Sequence, residues 1–236
     1  MTPQARATQG FSLVELAIVM VIVGLLAAGV TAGRTLMASA QMRVIIAEAQ
    51  NFKLQTDNFF SRYDALPGDL KNANDAWTNA ESGNGNGKIE DDESFQFWKQ
   101  LRLAELIAGN FSGEGPDAAI GVNVPASKEN AAGFDALRHE APGGWVDKAG
   151  RHLKGNYLRY GKEPTPTGDA DYLTAPALTG ESAADIDAKI DNGVPNYGGV
   201  LAVNGEGATH CYNADGSAYD YSVKLPQCVL LFTLGY

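Results

Sequence analysis

At 236 residues, 44% of them hydrophobic and with a mean hydropathy of −0.18, the chain is long enough to bury a core in one domain or in a domain plus an appendage. Its formal charge of −10 and pI of about 4.7 argue against a phosphate-binding surface, because nucleic-acid affinity comes largely from Lys and Arg neutralising phosphates. No nucleic-acid partner is expected, and the acidity reads as solubility on a translocated surface.

The first element is a short polar stretch, Met1–Gly10 (MTPQARATQG), whose only charge is Arg6. Phe11 then opens FSLVELAIVMVIVGLLAAGVTAG, with no charged residue from Leu16 to Gly33. A positive flank followed by an apolar run suggests a secretory signal or a membrane anchor. A signal peptide fits poorly: no A-x-A cleavage site follows, and the helical pattern runs on well past the apolar run. Glu15 sits within the apolar segment, where an unpaired charge is costly, so it implies a partner or a function. The plain alternative is an interfacial Glu at the start of an ordinary span. Leu16–Gly33 covers about 27 Å as a helix, just enough to cross a hydrocarbon core. Arg6 on its N-terminal side favours a cytoplasmic leader and an external head. Gly24, Gly29 and Gly33 read either as loose packing in a membrane helix or as a stretch that unwinds locally.

Gly10-Phe11-Ser12-Leu13-Val14-Glu15, with the short charged leader before it and the apolar run after it, resembles the processing motif of type IV prepilins and of type II secretion pseudopilins. The resemblance covers about residues 6–35. It implies cleavage after Gly10 by a prepilin peptidase, N-methylation of the new terminus at Phe11, and pairing of Glu15 with the terminal amine of a neighbouring subunit at an inner-membrane assembly platform. Many pilins carry a proline in this region; here none occurs between Phe11 and Leu66.

Beyond the span, Ile45, Ala49, Phe52, Thr56, Phe59 and Tyr63 recur at steps of four and three, one apolar face of a helix expected to run from about Phe11 to Tyr63. Arg43, Glu48, Lys53, Asp57 and Arg62 form its polar complement. The stripe should pack against the head as core, and Leu66-Pro67-Gly68 should end the helix.

A short helix is expected over Asp69–Ala80 and a second over Ser94–Ala108. Between them lies SGNGNGKIEDDE, which matches a calcium-binding EF-hand-type loop counted from Ser82. Ser82, Asn84, Asn86, Glu90 and Glu93 would supply side-chain oxygens, Lys88 its backbone carbonyl, and Gly87 the sharp turn. Ser82 stands where an Asp is usual, which removes a charge from the site. The competing reading is a Gly/Asn turn followed by an acidic helix N-terminus. A phosphate loop fails, because Gly83 to Gly87-Lys88 is one residue short and Ile89 replaces the required Ser or Thr.

Gly109–Pro142 reads as a long surface insertion. Strands are expected at about 155–160, 198–203, 219–224 and 228–234, with a helix over Glu181–Asp191 turning Ile186 and Ile190 inward. Segments 186–195 (IDAKIDNGVP) and ALPGD-to-GNGNGKI resemble a group of larger bacterial pilin-like proteins, which assigns no chemistry. Cys211 and Cys228 suggest one disulfide closing a short loop, stabilising by roughly 3 kcal/mol. Two free buried thiols are the alternative, and the spacing excludes a CxxC pair. In many pilins a C-terminal disulfide loop occupies this place.

The resulting expectation is an α+β fold, a long N-terminal helix with a transmembrane half and an amphipathic half packed on a C-terminal antiparallel sheet. The divisions are a leader (1–10), a membrane and filament-core segment (11–33), an amphipathic half (34–66) and a globular head (67–236). His139, His152 and His210 are dispersed and no G-x-S-x-G elbow occurs, so no enzyme is expected. Asn110-Phe111-Ser112 matches a glycosylation sequon. The resemblance implies a structural subunit, stored in the inner membrane and then built into an extracellular pilus with copies of itself or other pilins. A periplasmic type II secretion pseudopilin is the alternative, and a DNA-uptake pilin is disfavoured by the charge.

Overall fold

The computed structural model describes residues 12–90, 93–140, 154–165 and 172–235. Two compact units make up the chain, Met1–Gln41 and Met42–Tyr236.

Helix α1 spans Leu13–Tyr63 and supplies all the described secondary structure of the first unit. Among the described residues it is the one helix long and apolar enough to cross a membrane. Its large apolar side chains stand in the open, from Leu13 at 86% exposed to Leu36 at 73%. The hydroxyls within the apolar stretch are satisfied by the helix itself. Thr31 Oγ1 donates to Ala27 O at 3.0 Å and Ala28 O at 2.9 Å, and Thr35 Oγ1 donates to Thr31 O at 3.3 Å. No water is needed to satisfy them, as a lipid or protein surround demands.

In the second unit the periodic stripe of α1 becomes core. Met42, Ile45, Ala49, Thr56 and Phe59 are buried, while Phe52 packs edge-on against Trp98 and Phe134 with ring centroids 5.0 and 5.3 Å apart. Two members of the polar face do more than meet solvent. Glu48 accepts from Ser127 Oγ and Lys128 N, and Lys53 Nζ donates to Thr233 O, so α1 is latched to the middle of the head sequence and to its last strand. The helix ends at Asp64, whose φ of 52° and N–H to Phe60 O form a left-handed cap.

The helix expected over Asp69–Ala80 is reduced to α2, Ala73–Ala76. Here the backbone turns back on itself instead: Gly83 N donates to Leu70 O and Ser82 Oγ to Asn74 Oδ1, closures that a continuous helix would prevent. Helix α3 covers Ser94–Leu103, short of the expected Ala108. Glu105 adopts φ 61° there, with Leu106 N bonded to Leu101 O and Glu105 N to Arg102 O, a Schellman stop without glycine.

Strands β1 (Gly133–Glu140), β2 (Lys154–Gly161), β3 (Val200–Asn204) and β4 (Cys228–Thr233), with helix α4 (Gly180–Ile190) between β2 and β3, complete the head. The sheet is antiparallel in the order β1-β2-β4-β3. Three strands and α4 lie where expected. Strand β1 falls inside the supposed insertion Gly109–Pro142, and 219–224 is no strand: Tyr219 makes only an isolated bridge to Tyr212. One sheet face, with Phe134, Leu158, Tyr160, Val200, Leu230 and Phe232, joins α1, α3 and α4 in the main core. The other buries Leu137, Tyr157, Leu201 and Leu231 and carries Asp135 directly across from Arg159.

Candidate functional site

Gly10 and Phe11, the residues of the expected cleavage and methylation, lie outside the described residues. The site therefore starts at Ser12. Its N–H donates to Glu15 Oε2 at 2.9 Å, and its Oγ accepts from Val14 N at 3.3 Å. This is a capping box, in which the acid three residues into the helix returns to the cap residue's amide. Its sequence signal is Ser-x-x-Glu ahead of an apolar run, residues that also belong to the processing motif. In a single chain the carboxylate of Glu15 is thus held by its own backbone, at the start of a helix whose first turn favours negative charge.

The cysteines pair. Cys211 and Cys228 form a disulfide with Cα atoms 4.9 Å apart, both fully buried, and no described cysteine is free. The bond joins the start of β4 to a loop tied to the end of β3 through Cys211 N and Asn204 Oδ1. That loop is fastened to α4 by Tyr219, whose hydroxyl donates to Asp187 Oδ2 at 2.8 Å, while Gly193 N donates to Oδ1 at 3.1 Å. Burial pushes the Asp187 carboxyl up from 3.8 to about 6, against the pull of those two hydrogen bonds, and also holds the Tyr219 phenol well above its ordinary value. A raised acid binds its proton more readily folded than unfolded, so the contribution of Asp187 to stability is fully present below 3.8 and is lost as pH rises through about 6. Thermal unfolding across this range should show a falling contribution in the wild type. Asp187→Asn, which cannot ionise, should flatten that part of the profile, and an unchanged slope would contradict the assignment. In the same loop His210 Nδ1 lies 3.0 Å from Asp220 Oδ2, and Ser222 and His210 hold the Asp220 carboxyl down at about 2.

The residues of the expected calcium loop are only partly brought together. Asn84 Nδ2 and Asn86 Nδ2 lie 2.6 and 3.0 Å from Glu90 Oε2. Ser82 Oγ is instead spent on Asn74, and Glu93, 3% exposed, accepts from Asn84 N and Glu90 N. Among the described residues no group of three or more His, Cys, Asp or Glu is set to hold a metal. Two residues outside the motif organise the loop. Asp69, 2% exposed, accepts from Asn86 N at 3.0 Å and Gly87 N at 2.7 Å. Asn156 on β2 accepts from Ile89 N and donates to Gly87 O. No local spacing ties either to the loop, so no sequence signal announced them. Gly68 is fixed beside it: its φ is +84°, and a Cβ there would stand 2.5 Å from Glu93 O.

Residues 5–31 match the family model described as the prokaryotic N-terminal methylation motif, the signature of type IV pilins and pseudopilins. The motif supports a pilin-like or pseudopilin protein and points to a structural role, and it implies processing by prepilin peptidase and assembly into polymers. An exposed apolar N-terminal helix fits a membrane-anchored precursor. No curated protein and no solved structure matches the chain.

Proposed function

We propose that the protein is a structural, non-enzymatic subunit of an extracellular type IV pilus, cut after Gly10, methylated at Phe11 and polymerised through α1. The observation that carries this reading is a helix whose apolar side chains are exposed throughout its first half and whose only acid there is Glu15. Such a surface requires lipid before assembly and other helices after it. On assembly Glu15 exchanges the amide of Ser12 for the ammonium of a neighbour's Phe11, two charges that are tolerable in an apolar core only as a pair. Shearing the cell surface tests the pilus: the protein should appear in the released filaments. Retention of processed protein in the inner membrane alone would move the assignment to a secretion pseudopilus.

Loop 82–93 is proposed to take calcium in the secreted head, through Asn84, Asn86, Glu90 and the carbonyl of Lys88. The convergence of both Asn side chains on Glu90 supports this, since turning either amide over presents its oxygen. Ser82 and Glu93 are engaged elsewhere, so affinity belongs in the range of extracellular modules, about 0.1–1 mM. Millimolar calcium should raise the melting temperature of the wild type and leave Glu90→Gln unmoved; a wild type indifferent to calcium would end the proposal.

A further inference from the structure

Four Asn-Gly dipeptides occur in the chain, at 84–85, 86–87, 192–193 and 204–205. With no Cβ on the glycine, its backbone nitrogen approaches the preceding Asn side-chain carbonyl carbon unhindered, and the pair tends to cyclise. A glycine N–H already given to an acceptor within the fold is withheld from that attack. Three of the four are withheld. Gly87 N donates to Asp69 Oδ2 at 2.7 Å, Gly193 N to Asp187 Oδ1 at 3.1 Å, and Gly205 N to Gln227 O at 2.9 Å. Asp69 and Asp187 are themselves 2% and 0% exposed.

Gly85 differs. Among the described residues its N–H donates to no acceptor, and both Asn84 and Gly85 are exposed. Its φ of +67° and the Lys71 side chain packed against it keep the position a glycine. Asn84 is also primed at the other end of the reaction: its Oδ1 accepts from Asn86 N at 3.0 Å, which polarises the carbonyl that would be attacked.

We propose that Asn84 is a site of self-catalysed deamidation, selected from four chemically equal dipeptides by the hydrogen bonding of the fold. The Gly85 nitrogen, its proton taken by solvent, attacks Asn84 Cγ. A N–Cγ bond forms, the Cγ–Nδ2 bond breaks, and the amide nitrogen leaves as ammonia with a proton returned by solvent. Water then opens the succinimide at either carbonyl, leaving aspartate or isoaspartate at position 84. The sum is one water consumed and one ammonia released, with no redox change. The new carboxylate replaces a donor that stood 2.6 Å from Glu90 Oε2, so a hydrogen bond becomes a like-charge contact. The loop gains one negative charge where a cation would be held.

The test is incubation of the full-length protein in detergent at mildly alkaline pH, beside a synthetic peptide of residues 81–90. Electron-transfer fragmentation then localises the one-mass-unit gain. In the peptide, Asn84 and Asn86 should convert at comparable rates. In the protein, Asn84 should convert at least about tenfold faster than Asn86 or Asn192, the factor a hydrogen bond to a buried charged acceptor imposes, and faster than Asn204, whose Gly205 N–H is held by a neutral backbone carbonyl. Asn84→Gln should abolish the gain while leaving the protein folded. Conversion of Asn86, Asn192 or Asn204 as fast as Asn84 would overturn the proposal. So would an Asn84 still intact when the peptide has fully reacted.

Discussion

Glu15→Ala should leave the protein exported and membrane-inserted yet lower filament yield by about two orders of magnitude or more. Removing one member of a desolvated charge pair strands the other at about 3–5 kcal/mol, and the cost recurs at every subunit contact. The remaining apolar surface of α1, untouched by the change, still supports insertion. Because Glu15 also accepts from Ser12 N, a loss in Glu15→Ala alone would not separate charge pairing from helix capping. Glu15→Gln separates them, since it keeps an acceptor for Ser12 N and loses the charge. Failure of both variants to assemble supports pairing. Assembly of Glu15→Gln at normal levels would assign the residue to capping, and normal filaments in Glu15→Ala would contradict the role altogether.

The second large effect lies in the sheet. Asp135, fully buried on β1, meets Arg159, 7% exposed and directly opposite on β2, through three N–H···O contacts of 2.7–3.2 Å. Asp135 also accepts from Leu173 N at 2.7 Å, and the guanidinium lies 4.8 Å from the ring centroid of Tyr172. Asp135→Ala should therefore destabilise the head by about 3–5 kcal/mol, because it leaves a buried guanidinium unpaired. Joint replacement by apolar residues of similar volume, Asp135→Leu with Arg159→Met, should recover most of that loss. Denaturant unfolding of the detergent-solubilised protein reads both. A single variant within about 0.5 kcal/mol of wild type, the range of ordinary surface changes, would show that the pair holds nothing.

The same pair explains part of what the sequence concealed. β1 reads GFDALRHE, and a strand carrying Asp135, Arg138 and Glu140 looks like surface until its partner is known. Arg159 lies 24 residues away, a separation at which no local pattern operates. The residues of α1 were legible because their burial follows a period that belongs to the helix alone: Ile45, Ala49, Thr56 and Phe59 need no partner to declare a face. Helix α4 was legible for the same reason, capped by Thr179 through Ser182 N and turned inward at Ile186. The end of α3 was not, because Glu105 takes a left-handed conformation that sequence leads one to seek at glycine. At the candidate sites the division is similar. Ser12 and Glu15 are three residues apart and their bond was readable. The loop around Asn84 and Asn86 is governed by Asp69 and Asn156, contributed by a turn and a strand remote from it, and only the fold reveals that.

The most direct measurement is the intact mass of the protein in filaments sheared from the native cell surface. The expected species begins at Phe11 and is one methyl group heavier and, for the Cys211–Cys228 disulfide, two hydrogens lighter than the unmodified reduced chain. A mass that retains Met1–Gly10 in both the sheared and membrane fractions would contradict processing, and with it the assignment of α1 as the shaft of a filament.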